Sequence, residues 1–273
     1  MENTNLFDLT GKVVVVTGGT GVLGESFVKA IAAAGASVAI LGRNKETAEQ
    51  RADEINASGG KALAVIADVL DETSLVTAKT QILASFGKID GLVNGAGGNM
   101  PGAVVDPRAS VFSLDIDALT KVMNLNLFGT ILPTQIFGEE IAKNGGGSIV
   151  NISSMAAQTS ITKVLGYTVA KCAIDGYTKW FAVELANRYG DKIRMNAIAP
   201  GFFLTEQNRT LLTKPDGSYT DRGNLVVKGT PFSRFGTPQE LEGALIWLLS
   251  DGSKFVTGSV VNVDGGFAVF SGV

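Results

Sequence analysis

Short apolar runs alternate along the chain with longer stretches whose apolar positions recur every three or four residues. The runs 13–16, 37–41, 63–67 and 89–94 are apolar at nearly every position, as strands covered on both faces of a parallel sheet must be. Helical patterns over 22–34, 45–56 and 71–86 lie between them. The alternation continues with a helical stretch over 117–126, a second running through Gly129 to about Lys143, and a strand over 148–152. A long helical pattern covers 165–189, and a strand over 193–198 is stopped by Pro200 and Gly201. A last helix over 239–249 and strand over 259–263 complete the series. Strand–helix alternation with right-handed crossovers predicts an α/β class: a doubly wound parallel sheet with helices on both faces. From Phe202 to about Phe235 the periodicity dissolves around Pro215, Gly217, Gly223 and Gly229, which reads as a substrate loop or lid. With no repeat, low-complexity tract or linker, residues 1–273 are expected to form a single domain.

Composition narrows the chemistry. Hydrophobic residues make up 45% of the chain, charged residues 18%, and the net charge is −3, so the supply for a core is ample. A slightly acidic surface has no pull toward phosphate backbones, which argues against a nucleic-acid partner. No basic segment followed by an apolar stretch opens the chain and no apolar run reaches bilayer length, so a cytoplasmic protein without a membrane partner is expected. The single cysteine, Cys172, rules out an intrachain disulfide, and the absence of histidine rules out Ser-His-Asp catalysis and His-based metal sites. Acid–base work therefore falls to Tyr, Lys, Asp, Glu or a cofactor.

One such cofactor is suggested after the first strand. Thr17, Gly18, Gly19, Thr20, Gly21, Val22, Leu23 and Gly24 form a glycine turn in which Gly19, Gly21 and Gly24 fit G-x-G-x-x-G. Between a strand and a helix, such glycines permit a tight turn and close backbone approach to a pyrophosphate at the helix N-terminus. A glycine-rich turn without a ligand is the other reading, and the strand–turn–helix setting favours the first. This makes the sheet an NAD(P)-binding Rossmann fold. No carboxylate for a ribose 2′-hydroxyl stands at the end of the second strand; Gly42 and Arg43 do. Arg43 either holds a 2′-phosphate, stacks on an adenine or is a solvated loop residue, and the first of these favours NADP over NAD.

Tyr167 and Lys171 are four apart on the long helical pattern and share a face. A nearby ammonium stabilises a phenolate, bringing a tyrosine toward use as an acid–base group. Around this pair the sequence carries Asp68 with Val69, then Asn94, Gly95, Ala96 and Gly97, then Asn126. Asn151, Ile152, Ser153 and Ser154 follow, as do Pro200, Gly201 and Thr205, and Asp264, Gly265 and Gly266. In this order the chain resembles the short-chain dehydrogenase/reductases from Leu9 to Gly266. The resemblance implies that Asn126, Ser154, Tyr167 and Lys171 are the catalytic group. Ser154 would orient the substrate oxygen, Tyr167 act as acid/base, Lys171 bind the nicotinamide ribose and tune Tyr167, and Asn126 hold a relay water. It also places the cofactor against Gly18, Gly19, Thr20, Gly21, Val22, Leu23, Arg43, Asp68, Val69, Asn94, Ala96, Gly97, Tyr167, Lys171, Pro200, Gly201 and Thr205.

Three positions depart from the family pattern. Val22 stands where the first turn usually has glycine and Gly21 is one place early, leaving open which glycine meets the pyrophosphate. Gly95 replaces a second asparagine, and Gly42 stands where NAD-preferring members often carry an acid. The stretches 199–209 and 95–99, with the tail 271–273, resemble the group of this family described as D-mannonate oxidoreductases (D-fructuronate reductases). A keto-sugar acid would need a cation for its carboxylate, for which Arg209 and then Lys163 are candidates, with Asn99, Gln207 and Asn208 for hydroxyls. A dehydrogenase of another polyol, gluconate or a 3-oxoacyl thioester is the alternative, and a cofactor sensor that lost its chemistry is a second. The resemblance further implies a homotetramer, with the helix bearing Tyr167 and the apolar tail of Phe267, Val269 and Phe270 as contacts.

Overall fold

The computed structural model describes residues 5–106 and 108–272; positions 1–4, 107 and 273 of the expected domain lie outside the described residues. Seven strands form one sheet in the order β3-β2-β1-β4-β5-β6-β7, every neighbouring pair parallel. They are β1 (Val13–Thr17), β2 (Ser37–Gly42), β3 (Lys61–Ile66), β4 (Gly91–Asn94), β5 (Gly147–Ile152), β6 (Ile193–Pro200) and β7 (Val260–Val263). The helices are α1 (Val22–Ala33), α2 (Lys45–Ala57), α3 (Glu72–Phe86), α4 (Ile116–Met123), α5 (Gly129–Lys143), α6 (Leu165–Tyr189), α7 (Glu206–Leu212), α8 (Asp221–Lys228) and α9 (Glu242–Leu249).

The all-apolar strands require two cores, and two are found. Val14, Val16, Val38, Ile40 and Val150 face α1 and α9 on one side, while Val13, Val15, Leu41, Leu92 and Ile149 face α3, α5 and α6 on the other. Polar side chains set the helix starts: Asn44 accepts from the Thr47 amide, Asp71 from those of Thr73 and Ser74, and Asp115 from that of Ala118. Strand order reverses between β1 and β4, so the loops leaving these two strands diverge and open a crevice at their carboxyl ends.

Two regions differ from the sequence reading. Helical periodicity over 117–126 and onward is broken by a wider π-type turn, Asn124–Phe128, between α4 and α5. Pro133, inside α5, also withdraws the hydrogen bond that would reach the Gly129 carbonyl. The segment 202–235 is not irregular: it holds α7 and α8, joined around an antiparallel bridge from Thr213 to Tyr219. Leu212, Val226 and Phe235 form its own small apolar cluster. Each helix is too short for its period to show, and Gly223 inside α8 is required because a Cβ there would lie 2.2 Å from the Leu212 carbonyl oxygen.

Candidate active site

The crevice is floored by the turn after β1. Gly18 has φ +67° and a Cβ there would fall 2.7 Å from the Ala96 nitrogen, so the β1 and β4 loops approach backbone to backbone. Thr17 ties the same loops together by accepting from the Gly95 and Ala96 amides at 3.1 and 3.2 Å. A Cβ at Gly24 would fall 2.2 Å from the Gly18 oxygen, which fixes α1 against the turn. Gly21 is the N-cap of α1 and supplies no side-chain cap, and Val22 and Leu23, the first helical residues, line the cleft. An uncapped helix start behind a close-packed glycine turn fits a pyrophosphate. In this chain Gly18, Gly19 and Gly24 are the sterically required glycines of the turn, and Gly21 begins the helix one place before the family's usual glycine.

At the end of β2, a Cβ on Gly42 would come 2.5 Å from the Thr20 hydroxyl oxygen, so Thr20 occupies the space where a side chain at that position would sit. Arg43 is exposed, with its guanidinium 4.0 Å from the Asp68 carboxylate. Asp68 also accepts from the Leu70 amide, and Val69 is buried against Gly129. Asn94, at the end of β4, is buried and donates to both Thr134 and Asn151 at 2.9 Å.

Ser154, Tyr167 and Lys171 line one cleft with Gly95, Gly97, Gly98, Pro200, Gly201 and Thr205. The long helix α6 places Tyr167 and Lys171 one turn apart, the Lys171 ammonium 5.4 Å from the tyrosine ring centre. Lys171 donates to the Ile152 carbonyl at 2.7 Å, and one turn further on Asp175 accepts from the Ser153 hydroxyl. Two successive turns of α6 thus grip the end of β5 just before Ser154. Burial pushes the Tyr167 phenol up, and the Ser154 hydroxyl beside it pulls in the other direction. Burial brings Lys171 down to about 8, against the opposing pull of Asp175, whose own carboxyl is raised by burial. Asn126 sits in the π-type turn, fully buried; its amide oxygen accepts from Gly98 N–H and its amide nitrogen donates to the carbonyls of Gly98 and Val122.

The substrate candidates Asn99, Lys163 and Arg209 are not among the residues lining this cleft. Asn99 and Lys163 are exposed; Lys163 has φ +75°, and its carbonyl accepts from the Val105 amide. Arg209 is on α7, whose N-cap Thr205 and whose Asn208 do line the cleft, while the Asn208 amide is spent on Thr205 and the Phe203 carbonyl. Phe202 and Phe203 form a wall that the sequence reading did not single out, and Asp175 was likewise missed although it repeats the four-residue spacing of Tyr167 and Lys171.

A family pattern described as Enoyl-(Acyl carrier protein) reductase matches residues 16–268. An uncharacterised oxidoreductase of Bacillus subtilis (strain 168), UxuB, is 46% identical over 97% of this chain and 98% of its own. The structure of a Haemophilus influenzae protein with the provisional name D-mannonate oxidoreductase, holding NAD, superposes with a TM-score of 0.91 at 43% identity, covering 97% of this chain and 98% of that one. A gluconate 5-dehydrogenase of Burkholderia cenocepacia in complex with NADP and tartrate gives a TM-score of 0.86 at 32% identity, again over 97% and 98% of the two chains. The chain belongs to the short-chain dehydrogenase/reductase family, and is an oxidoreductase that uses NAD or NADP to act on alcohol groups.

Proposed function

We propose that this enzyme interconverts the ketone and secondary alcohol of a sugar acid, of the D-fructuronate/D-mannonate type, through Asn126, Ser154, Tyr167 and Lys171. The observation that carries the reading is the convergence of Ser154, Tyr167 and Lys171 on one cleft beside Pro200 and Gly201. The nicotinamide, when bound, supplies or takes the hydride at the substrate carbon. Ser154 donates to the substrate oxygen and holds it beside Tyr167, and the Tyr167 hydroxyl gives that oxygen its proton in reduction and takes it back in oxidation. The Lys171 ammonium stabilises the phenolate that proton loss creates. Asn126 holds the loop at Gly98 beneath this group and a relay water with it.

Gly18 to Leu23 would cradle the pyrophosphate, with Asp68 and Val69 holding the adenine side and Asn94, Ala96, Gly97, Pro200, Gly201 and Thr205 the nicotinamide half. NADP is the preferred form: Thr20 fills the space of a 2′-hydroxyl-binding acid at position 42, and Arg43 stands exposed beside it. Arg209 meets the substrate carboxylate, with Lys163 and Asn99 at the outer rim, when the lobe of α7 and α8 (202–235) closes over the cleft. The sugar-acid reading draws support from the name borne by the 43%-identical Haemophilus protein. The tartrate complex of the gluconate 5-dehydrogenase favours a second keto-sugar acid, 5-ketogluconate, as the alternative.

The test is oxidation of NADPH and NADH by the purified protein with D-fructuronate, 5-ketogluconate, neutral ketoses and a 3-oxoacyl thioester. Turnover confined to a keto-sugar acid is expected. Turnover on the thioester or neutral ketoses alone would discard the substrate while keeping the catalytic group.

A further inference from the structure

Arg51 is a buried arginine on α2, at 9% exposure, outside every group so far assigned. A single nitrogen of its guanidinium donates to the carbonyls of Gly19 at 2.5 Å and Gly21 at 2.8 Å, and the other terminal nitrogen donates to Glu25 on α1 at 3.1 Å. Glu25 is held in turn by Lys29 at 2.7 Å, and Lys29 by Glu54 of α2 at 3.2 Å. The guanidinium thus spans two peptide units of the glycine turn and the first turn of the helix behind it.

In a trans peptide the carbonyl of one residue and the N–H of the next point in opposite directions from the same plane. Holding the Gly19 carbonyl from α2 therefore sets the direction of the Thr20 N–H, which faces away from Arg51, while the Gly21 carbonyl, which also accepts from the Glu25 amide of α1 at 3.0 Å, is fixed from both sides and the Val22 N–H with it. Glycine peptides have the least rotational restraint of any, and this turn has Val22 in place of the family's usual glycine. Burying a guanidinium costs free energy, and burial here pulls its pKa down, so the three hydrogen bonds offset a real penalty. With Glu25 beside it the charge is largely neutralised locally, which leaves geometry as the contribution.

We infer that Arg51 is a positioning residue for the dinucleotide: it pre-orients the pyrophosphate-binding turn and thereby sets cofactor affinity without touching the reacting atoms. The inference rests on the reading of 18–23 as the pyrophosphate cradle. It is tested by titrating NADPH and NADH into the protein, and by steady-state kinetics, for Arg51→Met, Arg51→Lys and Arg194→Lys. Arg194 is the control: on β6, four strands away from β2, it is equally buried and donates to the Leu248 and Ser250 carbonyls and to Ser253. Loss of the two hydrogen bonds to the turn predicts a cofactor dissociation constant raised roughly tenfold in Arg51→Met and about threefold in Arg51→Lys. The same rise is expected in the cofactor KM, with kcat at saturating cofactor within about twofold of wild type. Arg194→Lys should lower the melting temperature and leave cofactor affinity unchanged. Should Arg51→Met fail to fold, Arg51→Lys carries the comparison. Wild-type affinity in the Arg51 variants, or a loss matched by Arg194→Lys, overturns the inference. Wild-type protein that binds neither nucleotide would overturn the cradle reading itself and the inference with it.

Discussion

The Lys171 ammonium lies 5.4 Å from the centre of the Tyr167 ring, anchored there by the Ile152 carbonyl. An ammonium so placed stabilises the phenolate, whereas the burial that surrounds both groups disfavours it. If Tyr167 carries the proton, Tyr167→Phe removes the transfer and little else, because the ring and its packing stay. Turnover should fall by roughly 10²–10⁴-fold, with the NADPH dissociation constant unaltered. Turnover equal to wild type would defeat the assignment.

Lys171 also predicts a pH signature in stability. Its folded pKa is about 8, below the 10.5 of the free side chain. Between those values the unfolded chain binds more protons than the folded one, so this group's contribution to stability rises with pH. The full difference is worth on the order of 3 kcal/mol. Lys171→Met cannot show it. Urea unfolding of both proteins at pH 7 and 9.5 should therefore show wild type gaining on the variant as pH rises. Parallel changes in the two would remove the premise that the ammonium is buried at a cost. Tyr167 and Asp175 lie one turn to either side of Lys171 on α6, and burial raises the Tyr167 phenol, which keeps it protonated over this range.

Much of this site was legible in the sequence because strand and helix periods are long enough to declare themselves. The glycine turn, Asn94 and Ser154 follow or end well-patterned strands and Tyr167 and Lys171 open a long helix, so the α/β topology gathers them at the carboxyl ends of the central strands. What stayed hidden depends on contacts between elements. Nothing in the sequence around Arg51 distinguishes it from the solvated charges of a polar helix; only the packing of α2 behind the turn buries it. The short α7 and α8 span too few residues for a period to emerge, so the segment read as a loop. The polarity of Asn99 and the charge of Lys163 suggest a place near the nicotinamide end, and the fold leaves both outside the cleft lining.

Gly24 tests the cradle more bluntly than Arg51 does. Its missing Cβ would stand 2.2 Å from the Gly18 oxygen, a backbone atom that can move only with the turn. Gly24→Ala should raise the dissociation constant for both NADPH and NADH at least tenfold and lower the melting temperature. Fluorescence titration of the reduced nucleotide reads it directly. Unchanged affinity would place the pyrophosphate elsewhere.

Cofactor choice turns on Arg43. Its guanidinium is 76% exposed in the side chain and has the Asp68 carboxylate at 4.0 Å, a loose pairing that a 2′-phosphate can displace. Arg43→Ser should raise the KM for NADPH roughly tenfold and leave that for NADH within about twofold. An equal effect on both nucleotides would mean that Arg43 stacks on the adenine, and no effect would mean that it is a solvated loop residue.

The homotetramer that the family resemblance implies would make a demand on α6. Trp180 and Val183 lie on its outer side, 63% and 59% exposed in the single chain, beside Val169 and Leu165 at the Tyr167 end. A row of large apolar side chains along one 25-residue helix is costly to leave in water, and contact with a second copy would remove that cost. Burying Trp180 alone would contribute about 2 kcal/mol per subunit. Trp180→Glu should therefore break the assembly into smaller species, read as a drop in mass by sedimentation velocity at micromolar protein. Trp180 fluorescence in the wild type should be blue-shifted at assembly-favouring concentrations and move red on dilution. Trp247 gives a constant background, since its indole N–H is held by the Gly252 carbonyl at 3.0 Å within the chain. Unchanged mass in Trp180→Glu, with a red Trp180 signal throughout, would take α6 out of the subunit interface.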